Sequence, residues 1–274
     1  MSAVAETVSH EVGPHIPSMQ GEFLHGLSFD LFGMHFGISN TVLSTWIFMI
    51  LLFVVLVLFR INLKSKKGFF KTTGMIIVGG LYDMTADFVG NKKFAKKILF
   101  LVGGMFIFIL LSNIFSLFLD WIITFTGWHE YLRPINSDLN TTFGLSLTII
   151  VLSHFVAVFH RGIPKYLKGY FFNFHGHGVF EKSVNVFVGW LHLVGEIVKI
   201  LSLSLRLFGN IFAGVVLIGM IAFLTGQINV LGLHVGELFV LPFWIFELFV
   251  ALIQAVVFFV LSSIYFKQAI EDHH

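Results

Sequence analysis

Five long apolar stretches dominate the hydrophobicity pattern of this 274-residue chain. A bilayer core of about 30 Å is crossed by roughly 20 apolar helical residues, so each stretch predicts a membrane-spanning helix. A sixth stretch, 69–91, contains two aspartates and has apolar residues every three or four positions, which predicts an amphipathic helix at the membrane interface. We therefore expect an all-α polytopic membrane protein with one interfacial helix and five crossing helices, at 41–59, 98–119, 143–159, 185–223 and 236–267.

The last two predicted spans are too long to stand upright in a membrane. At ~1.5 Å per residue, 185–223 measures about 58 Å and 236–267 about 48 Å as helices. The first of them either tilts steeply or breaks at one of its glycines, and we expect an unbroken, strongly tilted helix. Pro242 lies near the start of the second, where a helix tolerates it. Two slanted helices predict a curved partner beside them.

The distribution of charge predicts the orientation of the chain. Of its 17 Lys and Arg residues, 14 lie in 60–97, in 161–182 or at Lys267. Such segments face the cytoplasm by the positive-inside rule. Residues 1–40 contain four acidic residues and no Lys or Arg, which predicts an extracytoplasmic N-terminal segment before a membrane domain at 41–274. With no organelle transit segment in the sequence, we expect a bacterial plasma (inner) membrane location and a cytoplasmic C-terminus.

Several classes of chemistry are disfavoured by the composition. The chain has no cysteine, which excludes disulfides and Cys-ligated metal sites. His175 and His177 stand two apart without a third ligand nearby, so we expect no metal site there. No phosphate-binding loop of the Walker type is present, and the basic residues lie at membrane boundaries. We therefore expect no cofactor, no nucleic-acid partner and no ATP hydrolysis within the chain. The apolar spans are expected to contact membrane lipids.

A polar stripe follows the fourth predicted span. Its members are spaced by four, three, three, four and four residues, which places them on one helix face: His192, Glu196, Lys199, Ser202, Arg206 and Asn210. A guanidinium at mid-membrane costs roughly 2.5–3.5 kcal/mol on insertion scales, so Arg206 indicates function. A purely structural interpretation remains open for the others: Glu196 and Lys199 pair with each other, and His192 is an ordinary interfacial residue.

The last predicted span adds two more polar groups at membrane depth. Glu247 and Gln254 are seven residues apart and therefore share a face. Because the two long helices run antiparallel, Asn210 and Glu247 lie outward, whereas His192 and Glu196 lie inward. Two offset ion paths separated by a fixed positive charge would not leak, whereas one continuous path would. The arrangement predicts a gated ion relay.

Four sequence motifs resemble those of one known family. They are Leu205-Arg206-Leu207-Phe208-Gly209-Asn210 followed by Ala213-Gly214, Leu252-Ile253-Gln254-Ala255 with a later Tyr265, the segment from Arg133 to Thr142, and Leu111-Ser112-Asn113-Ile114. Over about residues 98–267 the chain is similar to subunit a of F-type ATP synthases. The resemblance implies the stationary, non-catalytic membrane subunit that lies against the rotating c ring, with subunit b and the rest of the ATP synthase as further partners.

The resemblance also implies roles for individual residues. Arg206 faces the ion-binding carboxylates of the c ring and separates two half-channels for protons, or alternatively for Na⁺. Gln254 faces Arg206, while Asn210 and Glu247 line the outer path. The inner path contains Ser202 and Glu196, the latter favoured over His192. Many relatives have an acidic residue nine positions after the arginine, where this chain has Val215, so we expect Glu247 alone to serve the outer relay.

Two other function classes fit part of the pattern. A self-contained ion channel or secondary transporter would use Arg206 to bind an anion, but it needs two comparable repeats with interrupted helices. The chain shows no convincing internal repeat. A passive membrane scaffold explains the slanted helices but leaves the intramembrane arginine without a role.

Overall fold

The computed structural model of the chain describes residues 23–31, 34–63, 69–126, 131–164, 166, 179–225, 229–230, 233–234 and 236–270. The remaining part of the predicted N-terminal segment and the pair His175 and His177 lie outside these residues. The long helices are α1 (Asn40–Leu63), α2 (Phe69–Val89), α3 (Lys92–Thr126), α4 (Leu139–Arg161), α5 (Val179–Thr225) and α6 (Gly236–Ile270). All of these except α2 are long and apolar enough to cross a membrane. The predicted fold class is confirmed.

Two short β-hairpins lie outside the helices and were not predicted. In the first, β1 (Phe23–Leu31) pairs antiparallel with β2 (Met34–Ser39) immediately before α1. In the second, β3 (Asn229–Val230) pairs with β4 (Leu233–His234) in the connection from α5 to α6. The alternation of apolar and polar residues from 27 to 31 is typical of a β-strand.

The helices extend beyond the predicted spans. The longest, α5, runs unbroken for 47 residues, about 70 Å, through all of its glycines. This continuity confirms the prediction of an unbroken helix, while its tilt in a membrane stays a prediction. Only α2 is shorter than expected: it ends at Val89 because Gly90 adopts a positive φ of 74° and donates its backbone N–H to the carbonyl of Ala86 at 2.9 Å.

The core of the bundle is built around α3 and α6. One apolar cluster joins α2, α3 and α6 and includes Leu81, Val102 and Phe259. A second joins α3 and α6 to α4 and α5; its buried members are Ile109, Ile149, Leu203, Leu207, Ala255 and Phe258. Because Leu203 and Leu207 are one turn apart on α5, this second cluster determines which face of α5 points inward.

The apolar surface of the bundle is extensive, as expected for a chain that contacts lipid. On α1, Phe48 is buried against Phe108 and Phe115, while most of the other large apolar side chains are exposed. On α2, Leu81 is buried but Ile77 and Met84 are exposed. The buried face of α2 is therefore rotated from the stripe that the sequence pattern indicated.

The two ends of the bundle differ in polarity. Helices α1, α4 and α6 begin, and α3 and α5 end, at the end that carries both β-hairpins, which we call the hairpin side. The 3₁₀ helix Ile135–Ser137 also lies there, and Asp138 caps α4 by accepting a hydrogen bond from the backbone N–H of Asn140 at 2.9 Å. The opposite end carries Arg60, Lys92 and Lys267, and we call it the basic side.

Candidate functional site

Arg206 projects from the surface of the bundle. Leu203 and Leu207 on the same helix are buried in the core, which turns the Arg206 side chain outward, where it is exposed. Among the residues that the structure describes, Arg206 makes no ion pair or hydrogen bond, although Tyr265 lies within range of its charge. A guanidinium cannot be deprotonated in a protein. The helix therefore presents a permanent positive charge on an apolar surface.

A polar bridge joins the two long helices one turn from Arg206. The side-chain amide of Asn210 donates a hydrogen bond from Nδ2 to Oε1 of Gln254 at 2.9 Å. Gln254 is 3% exposed, and its Nε2 has no hydrogen-bond partner among the described residues. The structure thus brings together two residues that the sequence placed separately on α5 and α6.

Glu247 lies further toward the hairpin side, packed against α5. Its side chain is 5% exposed, and within the described chain its Oε1 has no hydrogen-bond partner. The carboxyl group sits directly over Gly214, where any Cβ atom would overlap it. Gly214 is two turns beyond Arg206, so Glu247 lies about 12 Å from Arg206 along the axis of α5. The absence of a side chain at Gly214 is what makes room for this buried carboxyl.

A second polar cluster lies on the basic side of Arg206. The carboxylate of Glu196 accepts a hydrogen bond from Lys199 Nζ at 2.9 Å, and its other oxygen lies 3.6 Å from Nε2 of His154 on α4. Lys199 also donates to Oε1 of Gln268 at 3.2 Å. The expected pairing of Glu196 with Lys199 is therefore present. Glu196 is ten residues, about 15 Å, from Arg206 along α5.

The remaining stripe residues have a different environment. His192 and Ser202 are both exposed on α5, on the same open surface as Arg206. Between them, Glu196 is only partly exposed because α4 covers it from one side. The structure therefore sets Glu196 within a polar network, and it places His192 and Ser202 at the face that a neighbouring protein or lipid would cover.

Sequence reasoning missed several polar residues around these clusters. On the hairpin side, Asn136 donates from Nδ2 to Oγ of Ser112 at 3.0 Å and to Oδ1 of Asn113 at 2.6 Å. Asp120 on α3 is buried within electrostatic range of Glu247. On the basic side, His154 Nδ1 lies 2.8 Å from the hydroxyl of Tyr166. The usable signal was a lone ionisable residue in or beside an apolar span, at positions 120 and 154.

Metal binding finds no support in the described part of the chain. No group of three or more His, Cys, Asp or Glu side chains comes close enough there to hold an ion. Among the described residues, the buried polar side chains lie mainly on α1, α3, α4 and α6 and around the 3₁₀ helix, while α5 contributes Ser204.

Comparison with known proteins identifies the family. Residues 42–267 match the family model for the ATP synthase A chain. The chain is 33% identical over 248 residues to the sodium ion specific ATP synthase subunit a of Propionigenium modestum, covering 86% of this chain and 76% of that one. It is 31% identical over 252 residues to ATP synthase subunit a of Limosilactobacillus reuteri, covering 90% and 98%. With subunit a of Listeria monocytogenes the identity is 30% over 251 residues, covering 89% and 96%. The chain therefore belongs to the family of ATP synthase A chains, the subunit a family of F-type ATP synthases.

Proposed function

We propose that this chain is the stationary ion-translocating subunit of an F-type ATP synthase and provides two offset half-channels for protons. Membership of the family implies assembly with other ATP synthase subunits. The observation that carries the proposal is the position of Arg206, exposed and without a counter-ion among the described residues, between two polar clusters about 12 Å and 15 Å away along α5. The missing counter-ion is then a carboxylate of the rotating c ring.

The half-channel on the hairpin side uses Glu247, Gln254 and Asn210. Buried polar atoms are nearly always hydrogen-bonded to protein or water. The unpartnered Oε1 of Glu247 and Nε2 of Gln254 therefore point to groups that interact with water or a passing ion. A proton reaching Glu247 from this side is passed to the c-ring carboxylate that faces Asn210 and Gln254, which then moves on with the ring.

The half-channel on the basic side uses Glu196, with Ser202 and His192 along the exposed face of α5. A proton released by a c-ring carboxylate leaves past these groups toward the basic end of the bundle. Arg206 attracts each deprotonated carboxylate and repels a proton that would cross directly between the paths. Together the two clusters span about 27 Å along α5, close to the thickness of the bilayer core.

Coupling follows from the membrane potential. An elementary charge that crosses 100 mV releases about 2.3 kcal/mol, and obligatory passage through the c ring converts that energy into rotation. ATP is made by other subunits, and this chain itself is non-catalytic and uses no cofactor or metal. Subunit b holds it stationary in the bacterial inner membrane. The basic side faces the cytoplasm, so the C-terminus is cytoplasmic and the N-terminus lies outside.

Sodium is the alternative ion. The relative from Propionigenium modestum is named as sodium ion specific, and it shares 33% identity with this chain. The carboxylates and amides of the proposed paths suit either ion. Simultaneous measurement of proton and Na⁺ uptake during ATP-driven pumping distinguishes them: uptake of Na⁺ that persists when a protonophore collapses the proton gradient assigns sodium.

The test of the function is the removal of the arginine charge. In membrane vesicles that carry the assembled complex, we expect Arg206→Ala to abolish ATP-driven pumping, with passive leak unchanged or increased. Arg206→Lys also fails, because a desolvated lysine can lose its proton. The matched control is Arg60→Ala, which removes an exposed arginine at the end of α1 and leaves pumping intact. Normal pumping by assembled Arg206→Ala contradicts the proposal.

A further inference from the structure

Asp120 is a buried carboxyl group in the hairpin-side half of the bundle that the proposed path does not yet use. Its side chain is 5% exposed, as is that of Glu247, and the two groups lie within electrostatic range of each other. Burying two carboxyl groups near each other costs free energy unless they interact with protons, ions or hydrogen-bond donors. Carboxyl groups placed in this way on facing helices can exchange a proton.

The packing of α3 against α6 determines where the two carboxyls stand. The amide of Asn113 donates to the backbone carbonyl of Ala251 at 3.2 Å, which sets the register of the two antiparallel helices. From this hydrogen bond, Asp120 is seven residues toward the hairpin side along α3, and Glu247 is four residues along α6. At ~1.5 Å per residue, Asp120 is about 4–5 Å closer to the hairpin-side surface than Glu247.

The register is held at a second point as well. Nε1 of Trp244 donates to the backbone carbonyl of Leu117 at 3.4 Å, one turn from each carboxyl-bearing residue. These two hydrogen bonds keep Asp120 and Glu247 on facing helices at neighbouring depths. The carboxyl of Glu247 in turn lies over Gly214 of α5, so polar groups continue from α3 through α6 to the helix that carries Arg206.

Buried polar residues also continue from this pair toward the middle of the bundle. The 3₁₀ helix contributes Asn136, which is 1% exposed and whose Oδ1 has no hydrogen-bond partner among the residues described. Its amide nitrogen binds Ser112 and Asn113 on α3. Because Asn113 is seven residues deeper along α3 than Asp120, this polar region runs inward from the pair and leaves Asp120 nearer the hairpin-side surface than Glu247 or Asn113. Buried water typically occupies such polar regions.

Building on the function proposed above, we propose that Asp120 is a second proton-carrying carboxyl of the hairpin-side path, which takes a proton from the aqueous side and passes it to Glu247. In each step the carboxylic acid of Asp120 loses its proton and the carboxylate of Glu247 gains one, directly or through one water. Asp120 is then reprotonated from the hairpin-side water, and Glu247 delivers its proton to the c ring. No net charge accumulates on the pair.

The experiment compares Asp120→Asn with Asp120→Glu in vesicles that carry the assembled ATP synthase. Asparagine keeps the shape of the side chain but cannot carry a proton, whereas glutamate can. The matched control is Asp87→Asn, which changes an exposed aspartate on α2. Pumping is measured while the pH is varied separately in the compartments that face the hairpin side and the basic side.

A proton-carrying role predicts a specific pattern of rates. Loss of a positioned proton-transfer group costs roughly 100- to 10,000-fold, and water can partly bypass it, so we expect Asp120→Asn to slow pumping at least about tenfold. Asp120→Glu retains most of the rate. We expect the pumping rate of Asp120→Asn to differ from wild type in its dependence on the pH of the hairpin side, but not in its dependence on the pH of the basic side. Wild-type rates for Asp120→Asn, or equal losses with asparagine and glutamate, overturn the proposal.

A second measurement covers the case in which Asp120→Asn does not assemble. Because the chain contains no cysteine, Asp120→Cys introduces the only thiol in this subunit. Silver ion, which is small enough to follow an ion path, is added from each side, with the parent complex as control for thiols elsewhere. Block of pumping from the hairpin side supports the proposal, and insensitivity from that side overturns it. If Arg206→Ala abolishes pumping while Asp120→Asn pumps at the wild-type rate, the proposed function stands and only the role of Asp120 is refuted.

Discussion

Gly214→Ala tests whether the position of the Glu247 carboxyl matters for transport. An alanine Cβ would overlap all three atoms of that carboxyl group, so one of the two must move. The obstructing atoms are the end of a flexible side chain, and therefore Glu247 rotates away while the helices stay in place. We expect the complex to assemble normally and to pump poorly.

The size of the effect follows from the cost of the overlap. Forcing an extra methyl into a packed site typically costs about 1–3 kcal/mol. We take this cost as the free energy by which the displaced conformation of Glu247 becomes favoured over the original one. At ~1.36 kcal/mol per factor of ten, the fraction of molecules with the Glu247 carboxyl in its original place then falls by about 5- to 150-fold. The pumping rate should fall by a similar factor.

The assay is ATP-driven pumping in vesicles, normalised to the amount of assembled complex. Gly104→Ala is the matched control, because it makes the same change at an exposed position of α3 where an added Cβ meets no atom within 4 Å. Shortening the acid in Gly214→Ala/Glu247→Asp should restore part of the rate. Wild-type pumping by assembled Gly214→Ala would refute the reasoning that the carboxyl must occupy this place.

The two remaining predictions concern polar contacts within the bundle. Replacing Asn210 or Gln254 by alanine leaves the other amide without its 2.9 Å hydrogen bond, so we expect the double variant to pump no worse than the poorer single variant; losses that multiply would contradict a shared role. Asp138→Ala removes the N-cap of α4 and should lower the free energy of unfolding by about 1 kcal/mol, seen as a lower unfolding temperature of the complex. Asp138→Ser should behave nearly as wild type, and equal destabilisation by both changes would argue against the cap.

Much of the fold could be predicted because membranes impose simple rules on sequence. Each crossing helix must be apolar over about 20 residues, so the five spans were visible as stretches of hydrophobicity. Helix ends were less predictable. The end of α2 depends on a positive φ at Gly90, and the two hairpins depend on strand pairing, which local periodicity reports only weakly.

Only part of the candidate site could be predicted, because sequence periodicity relates residues on one helix but not residues on different helices. Helical spacing places Arg206, Asn210 and Glu196 on one face of α5, and the cost of charge in an apolar stretch draws attention to them. Nothing local links Asp120 to Glu247, which are 127 positions apart, or His154 to Glu196. These pairs appear only once α3 packs on α6 and α4 on α5.

The sequence by itself determined that this chain is a helical membrane protein with an arginine on a polar stripe inside an apolar stretch, because hydrophobicity and helical periodicity depend on neighbouring residues. The tertiary structure decided which stripe residues face outward, which are covered, and which acidic residues are buried on facing helices. Those outcomes depend on the register and rotation of each helix against the next. Both are set by side-chain packing over the whole interface, as at Leu207 on α5 and Phe258 on α6.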